Sequence, residues 1–232
     1  MYNGKMKAIT FSYDDGVTQD IRLVEIFNKY NLKCTFNLNS GKLGMEGSLS
    51  WPDGKSVNHT KVKAEDVKAI YDGHEVAVHS LTHPNLTLLS EEDIIHQVED
   101  DRIKLSELCG YDVVGMAYPG GHRDERLVNI LKTKTGVKYA RATQRVKGFE
   151  PYSDLYGYCG TAYHHADWND LFKLGEEFIN LKAETPKVFY IWGHAYEFDI
   201  HPERWEMFDE FCKMISGKDD IFYGTNKEIL LK

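Results

Sequence analysis

Ala8-Ile9-Thr10-Phe11-Ser12-Tyr13-Asp14-Asp15-Gly16 is an apolar, β-branched and aromatic run that ends in two adjacent carboxylates and a glycine. The first part reads as a buried strand. Side chains on a regular strand alternate between faces, so two neighbouring Asp cannot point the same way unless the chain bends. Gly16 offers the freedom for that bend. Both carboxylates are therefore expected to converge on one site at the C-terminal end of this strand.

Outward from this stretch, strand-like and helix-like segments alternate. Helical spacing over Gln19 to Tyr30 leads to a strand over Lys33–Leu38. A long polar excursion, Asn39 to Thr60, reads as a loop near the functional face, and Lys63 to Tyr71 as a helix ended by Asp72-Gly73. Further strands are predicted over Glu75–His79, Val113–Tyr118, Lys138–Ala142, Tyr156–Tyr163, Lys187–His194 and Ile221–Thr225. Helices intervene from Ser90 to Leu108, Glu125 to Lys134, Asp170 to Lys182 and Pro202 to Ile215. Ser90 and Asp93 form a near capping box, and Gly110 and Gly136 are stop signals. Seven or eight βα units point to an α/β fold, a closed parallel barrel in a single domain over residues 1–232, with an open doubly wound sheet as the alternative. Both architectures place their sites at the C-terminal ends of the strands. Asp14, Asp15, His79, Pro119-Gly120, His164-His165 and His194 all fall there.

A hydrophobic content of 42% is that of a globular chain with a sizeable core, and the formal net charge of −8 argues against nucleic acid as a partner. No apolar run approaches the roughly 18 residues of a membrane span. The N-terminus lacks the apolar stretch of a signal peptide. The expectation is a cytoplasmic protein, or an extracytoplasmic one if a leader has been removed. Cys34, Cys109, Cys159 and Cys212 are widely spaced, without a CxxC, and read as reduced and mostly buried.

His79-Ser80-Leu81-Thr82-His83-Pro84 carries two histidines four apart, which one side of a helical turn would bring to a single metal ion. With one Asp they form a three-ligand set that leaves positions for water and substrate. The other Asp can then take a proton from water, the pairing that turns water into a nucleophile near neutral pH.

These segments resemble the polysaccharide deacetylases, carbohydrate esterase family four. Thr10 to Gly16 is similar to the first family motif, and His79 to Leu86 with Leu89-Ser90 to the second. Ala117-Tyr118-Pro119-Gly120-Gly121 is similar to the third, Asp167-Trp168 to part of the fourth, and Ile191-Trp192-Gly193-His194 to the fifth. The resemblance implies a distorted (β/α) barrel of seven or eight strands and a metal-dependent hydrolase that removes N- or O-linked acetyl groups from a sugar. It assigns a divalent metal, zinc first with cobalt, nickel or iron as alternatives, to Asp15, His79 and His83. It makes Asp14 the general base, His194 the general acid, and the Gly120 N–H an oxyanion donor. Tyr118, Pro119, His164, His165 and Trp168 are candidate substrate contacts. Trp51, Tyr163 and Tyr196 are further stacking faces for a sugar. His59, His74, His96 and His201 are assigned to the surface.

Two positions depart from the family pattern. Ala117 stands where an Arg usually pairs with the base, so the pKa of Asp14 should rise unless His122, Arg123 or Arg141 substitutes. His164 stands where an Asp usually orients the acid His; Glu197 or Asp199, close after His194, is the candidate to orient an imidazole in its place. These departures leave two other readings open: hydrolysis of small non-sugar C–N bonds such as cyclic amides, and a sugar-binding member without turnover.

Overall fold

Strand β1 (Lys7–Asp14) is buried along its whole length. Its side chains divide by the period of two. Phe11 and Tyr13 face the helices, Phe11 lying 4.7 Å from Phe27 between ring centroids. Thr10, Ser12 and Asp14 face the opposite way: Thr10 donates to Asn226, and Asn37 donates to both Ser12 and Asp14. The strand thus carries polar groups along the inside of the sheet up to its end.

The computed structural model describes residues 1–52 and 54–231; positions 53 and 232 of the expected 1–232 span lie outside the described residues. After β1 come α1 (Asp20–Lys29), β2 (Cys34–Leu38), the hairpin β3 (Ser48–Ser50) and β4 (Ser56–Asn58), α2 (Val67–Ile70), β5 (Glu75–Val78), α3 (Glu91–Ile95), a π turn (His96–Asp100) and α4 (Asp101–Cys109). The second half holds β6 (Gly115–Ala117), α5 (Glu125–Lys134), β7 (Tyr139–Arg145), β8 (Tyr158–Gly160), β9 (Ala162–Tyr163), α6 (Trp168–Asn180), β10 (Lys187–His194), α7 (Glu197–Ile200), α8 (Glu203–Ile215), β11 (Ile221–Tyr223) and α9 (Asn226–Leu230). Caps set several boundaries. The Ser90 hydroxyl accepts from the Asp93 N–H at 3.1 Å. Asp124 accepts from the Leu127 N–H at 2.7 Å. Gly110 ends α4 in the left-handed region, at φ 78°.

The main sheet runs β8-β7-β6-β5-β2-β1-β10-β9, all parallel neighbours, with β11 also on β1. One short run of chain carries both ends of that order: β8 pairs β7, and β9, two residues on, pairs β10. The Thr161 N–H between them donates to the Tyr190 carbonyl at 2.8 Å. The result is a nearly closed, distorted (β/α)8 barrel. A Cβ on Gly160 would lie 2.7 Å from the Trp192 ring, so the change of partner needs glycine there. The distortion centres on β1, whose second half pairs β2 and whose first half pairs β11 on the same side. At the barrel's N-terminal end, Asn226 of α9 accepts from Thr10 and donates to Tyr190, which plugs the end away from the site.

The structure departs from the sequence reading in several places. The predicted strand Tyr156–Tyr163 is two short strands, because it must serve two partners. The predicted helix Ser90–Leu108 is broken by the π turn. Lys63–Tyr71 is a 3-10 turn followed by α2. The hairpin, α7 and α9 carry no apolar periodicity long enough to announce them. All four cysteines are free and buried. Among the described residues no helix is long and apolar enough to cross a membrane.

Candidate functional site

Asp14 is the last residue of β1 and lies opposite His194, the last residue of β10, in the parallel register. Asp15 adopts φ 86° and Gly16 φ 62°. The bend predicted at Gly16 therefore begins one residue earlier, at an Asp, which tolerates the left-handed region better than most residues. The turn is pinned by the Asp15 N–H donating to the Asn37 carbonyl at 2.9 Å and the Val62 N–H donating to the Gly16 carbonyl at 2.9 Å.

His79 and His83 do not lie on a helical turn. Ser80 and His83 take φ 62° and 64°, which reverses the chain after β5 and returns the second imidazole to the first. The π turn explains how this loop is held. It leaves the Gln97 carbonyl to accept the Leu81 N–H at 2.9 Å, while the Gln97 side chain accepts the Thr82 N–H at 3.0 Å. Buried Asp101, at the start of α4, accepts from the His79 N–H and, at 2.7 Å, from the Ser40 N–H.

His79 Nε2 and His83 Nε2 lie 3.9 and 4.0 Å from Asp15 Oδ1. One ligand atom of each of the three residues falls within 4.8 Å of the others. His79 Nδ1 donates to the Ala117 carbonyl at 2.8 Å, which turns its Nε2 lone pair toward Asp15. Burial lowers the pKa of His79 to about 4, against the pull of Asp14 and Asp15, and lowers that of His83. Two neutral imidazoles and one carboxylate, with second-sphere support, suit a divalent ion of the zinc type.

Asp15 is held from the far side by the long excursion. His59 Nε2 is 3.2 Å from Asp15 Oδ2, and Lys61 Nζ donates to the Asp15 carbonyl at 2.8 Å. Burial pushes the Asp15 carboxyl up, but His59, Lys61 and more distant cations hold it well below the usual range. The surface assignment of His59 is thus corrected, as is that of His74, which is 7% exposed and hydrogen-bonded to the Cys34 N–H. A histidine inside a polar excursion gives no sequence signal of this kind; only the tertiary return of the hairpin brings it to Asp15.

Both oxygens of Asp14 are also held. Asn37 donates to Oδ1 at 2.8 Å, and the Arg141 guanidinium pairs with Oδ2. Arg141 is the cation that replaces the missing one. It sits directly opposite Ala117 in the β6–β7 register, so the charge has moved by one strand and reaches the same carboxylate. Burial pushes Asp14 up, but Arg141, with His79 and His194, keeps it below the ordinary value. Of the other candidates, Arg123 pairs with Asp154.

His194 Nε2 is 3.9 Å from Asp14 Oδ2, and its Nδ1 is 3.3 Å from Glu197 Oε1. Burial depresses its pKa, but Glu197, Asp14 and Asp15 together outweigh that and raise it to about 9. Asp199 does not take part; it accepts from Trp205 Nε1 and Gln19.

A cavity of about 460 Å³ opens above these groups. Asp14, Asp15, His79, His83, Gly120 and His194 all line it. Of the candidate substrate contacts, Tyr118 is also in the wall. Pro119 is buried. His164 lies behind His194, 1% exposed, bonded through Nδ1 to the Tyr13 hydroxyl at 2.8 Å. His165 is 3.4 Å from Arg204, and Trp168 packs under Arg204 and against Phe198, outside the cavity wall. Tyr163 and Tyr196 line the cavity, as does Trp192; Trp51 does not.

A nearly closed parallel barrel thus carries a His-His-Asp cluster at its C-terminal mouth. The polysaccharide deacetylase family model matches residues 2–140, more than half of the chain, and the chain belongs to that family. Among solved structures it is similar to the family 4 carbohydrate esterase from Streptomyces lividans, solved with acetate, at 14% identity and a TM-score of 0.58 over 98% of this chain and 95% of that one. It is similar to the peptidoglycan deacetylase PdaC from Bacillus subtilis at 18% identity and a TM-score of 0.56, over 97% of this chain and 90% of that one. The likeness to the Streptococcus pyogenes deacetylase PplD, at 20% identity and a TM-score of 0.50, covers 59% of this chain and 56% of that chain, less than two thirds of its length. At such identities the likeness is one of fold. No curated protein matches the chain.

Proposed function

We propose that this chain, acting as one catalytic domain, is a metal-dependent hydrolase that removes acetyl groups from a carbohydrate. The observation that carries the reading is the convergence of Asp15, His79 and His83 within 4.8 Å of one another, in a cavity that Asp14 and His194 also line. A divalent cation held by those three residues would supply a more acidic water and a polarised acyl carbonyl. Asp14, ionised and gripped at both oxygens, takes the proton from the attacking water. His194 gives a proton to the departing nitrogen or oxygen. The Gly120 N–H, on a turn with φ 62°, offers a donor to the oxyanion, where a preceding proline has none.

The test is release of acetate from acetylated amino sugars and oligosaccharides with zinc, cobalt or nickel added. Turnover that disappears in Asp14→Asn supports the assignment and removes the binding-only reading. No release with metal bound removes the sugar assignment. A second reading keeps the chemistry and shortens the substrate. Lys42, Leu49 and His59 of the excursion stand in the cavity wall, which favours a compact molecule, such as a cyclic amide, over a polymer. Opening of small cyclic amides without any acetate release from oligosaccharides decides for it.

A further inference from the structure

We propose that Glu197 is the residue that positions His194, doing from the start of α7 what a carboxylate at position 164 would otherwise do. The proposal rests on the reading of His194 as proton donor, but its first test does not. Glu197 is 5% exposed and reaches back over one turn to the end of β10. Its Oε2 accepts the backbone N–H of His194 at 3.1 Å, and its Oε1 faces the Nδ1 of the same residue at 3.3 Å. The main chain of His194 is thus hydrogen-bonded to the carboxylate whose other oxygen stands beside the ring. The opposite ring nitrogen is left to the cavity and to Asp14.

Three neighbours complete the case. The Tyr163 hydroxyl donates to Glu197 Oε1. His164 Nε2 stands 3.2 Å from Glu197 Oε2, while His164 Nδ1 meets the Tyr13 hydroxyl. A carboxylate this deep is tolerable only when donors surround it. An Asp at 164 would set a second negative charge against Glu197. A histidine there adds no negative charge: it sets one ring nitrogen 3.2 Å from Glu197 and hydrogen-bonds the Tyr13 hydroxyl through the other. The residues at 164 and 197 are therefore complementary: the charge has changed its place in the chain and kept its place beside His194.

A residue that only shaped α7 would affect folding alone. A positioning residue must also set the proton affinity and tautomer of His194. The charged and titratable groups facing His194 are Glu197 at the start of α7 with Tyr196 just before it, Asp14 and Asp15 at the end of β1, and Tyr163, His164 and His165 at and just after β9. Of these, Glu197 touches Nδ1.

The experiment is an NMR pH titration of histidine-labelled, metal-free full-length chain, wild type against Glu197→Gln and Glu197→Asp. The expected result is a wild-type His194 titrating near 9, a downward shift of two units or more in Glu197→Gln, and an intermediate value in Glu197→Asp. A gln amide also offers its NH2 to Nδ1 and so favours the wrong tautomer. A folded Glu197→Gln with unchanged His194 titration overturns the proposal. If that variant does not fold, a wild-type His194 titrating at or below the ordinary histidine value overturns it instead. With zinc added and acetylated amino sugar as probe, kcat falls by about 10²-fold while KM stays within about twofold. An NMR shift without acetate release from any sugar leaves the positioning role standing and removes the sugar reading.

Discussion

Arg141→Met takes away the guanidinium that faces Asp14. The two side chains are 1% and 5% exposed, so water cannot replace it. Removing one member of a buried pair costs about 3–5 kcal/mol, because the partner's charge is left uncompensated. Asp14 can relieve part of that by binding a proton. At about 1.4 kcal/mol per pKa unit, a relief of roughly 3 kcal/mol corresponds to a rise of about two units. The rest appears as lost stability. Arg141 holds Asp14 below its ordinary value, so the variant should titrate higher than the wild type. A base must be ionised to work, so the acid limb of kcat/KM moves up by about two pH units while the alkaline limb stays. The measurement is kcat/KM against pH with saturating zinc. Arg141→Lys keeps the charge but not the flat stack over Trp192, where the guanidinium carbon lies 4.6 Å from the ring centroid, and should fall between. The double variant Ala117→Arg with Arg141→Ala should bring the limb back down, because the two positions are register partners. A folded Arg141→Met with a wild-type acid limb refutes the pairing of base and guanidinium as the source of Asp14's low pKa.

Three further outcomes are expected. His59→Ala should weaken zinc binding by about 10-fold or more, read by competition with a chromophoric chelator, since it removes a support of Asp15 Oδ2; unchanged affinity would reduce His59 to a bystander. Gly120→Ala forces a Cβ to 3.0 Å from the His122 ring at φ 62°, at a cost of about 1–2 kcal/mol; kcat should drop while zinc affinity holds. Buried Asp20 has its pKa raised from 3.8 to about 8 by burial, against the opposing hydrogen bond from Tyr71. In that window the unfolded chain ionises and the folded chain does not, so the group's stability contribution is present below 3.8 and lost as pH rises toward 8, by about 1.4 kcal/mol per unit. Asp20→Asn keeps an acceptor for Tyr71, and its unfolding midpoint should decline less from pH 6 to 8 than that of the wild type.

What local spacing encodes was readable in the sequence. β1, α5 and β10 show their limits in alternation, in caps and in the residues that end them, and the parallel alternation of strands and helices pointed to the barrel. Elements whose partners lie far away were not readable. Residues 158–163 look like one strand because nothing in six residues says that half must pair β7 and half β10. The π turn at His96–Asp100 is chemically ordinary helix sequence; what it serves is the Leu81 N–H, which lies outside the helix and donates to the Gln97 carbonyl. Asp15, His79 and His83 could be picked out because each lies at or just beyond a strand end, although the turn that joins the two histidines is left-handed rather than helical.

The supports of the site follow a different logic. A buried carboxylate such as Asp14 requires a cation at one point in space, not at one point in the chain. Ala117 and Arg141 are neighbours across β6 and β7, so an Arg on either strand satisfies Asp14, and a motif read along one strand sees only an absence. The same holds for the charge behind His194, which arrives from α7 with a histidine at 164 adapted to receive it. His59 and Lys61 complete the pattern for Asp15, coming from an excursion whose composition reads only as polar. In each case the electrostatic requirement belongs to the barrel mouth as a whole, and sheet register decides which residue meets it. Vacant motif positions in such a barrel are therefore poor evidence for lost chemistry until the register partners of those positions have been inspected.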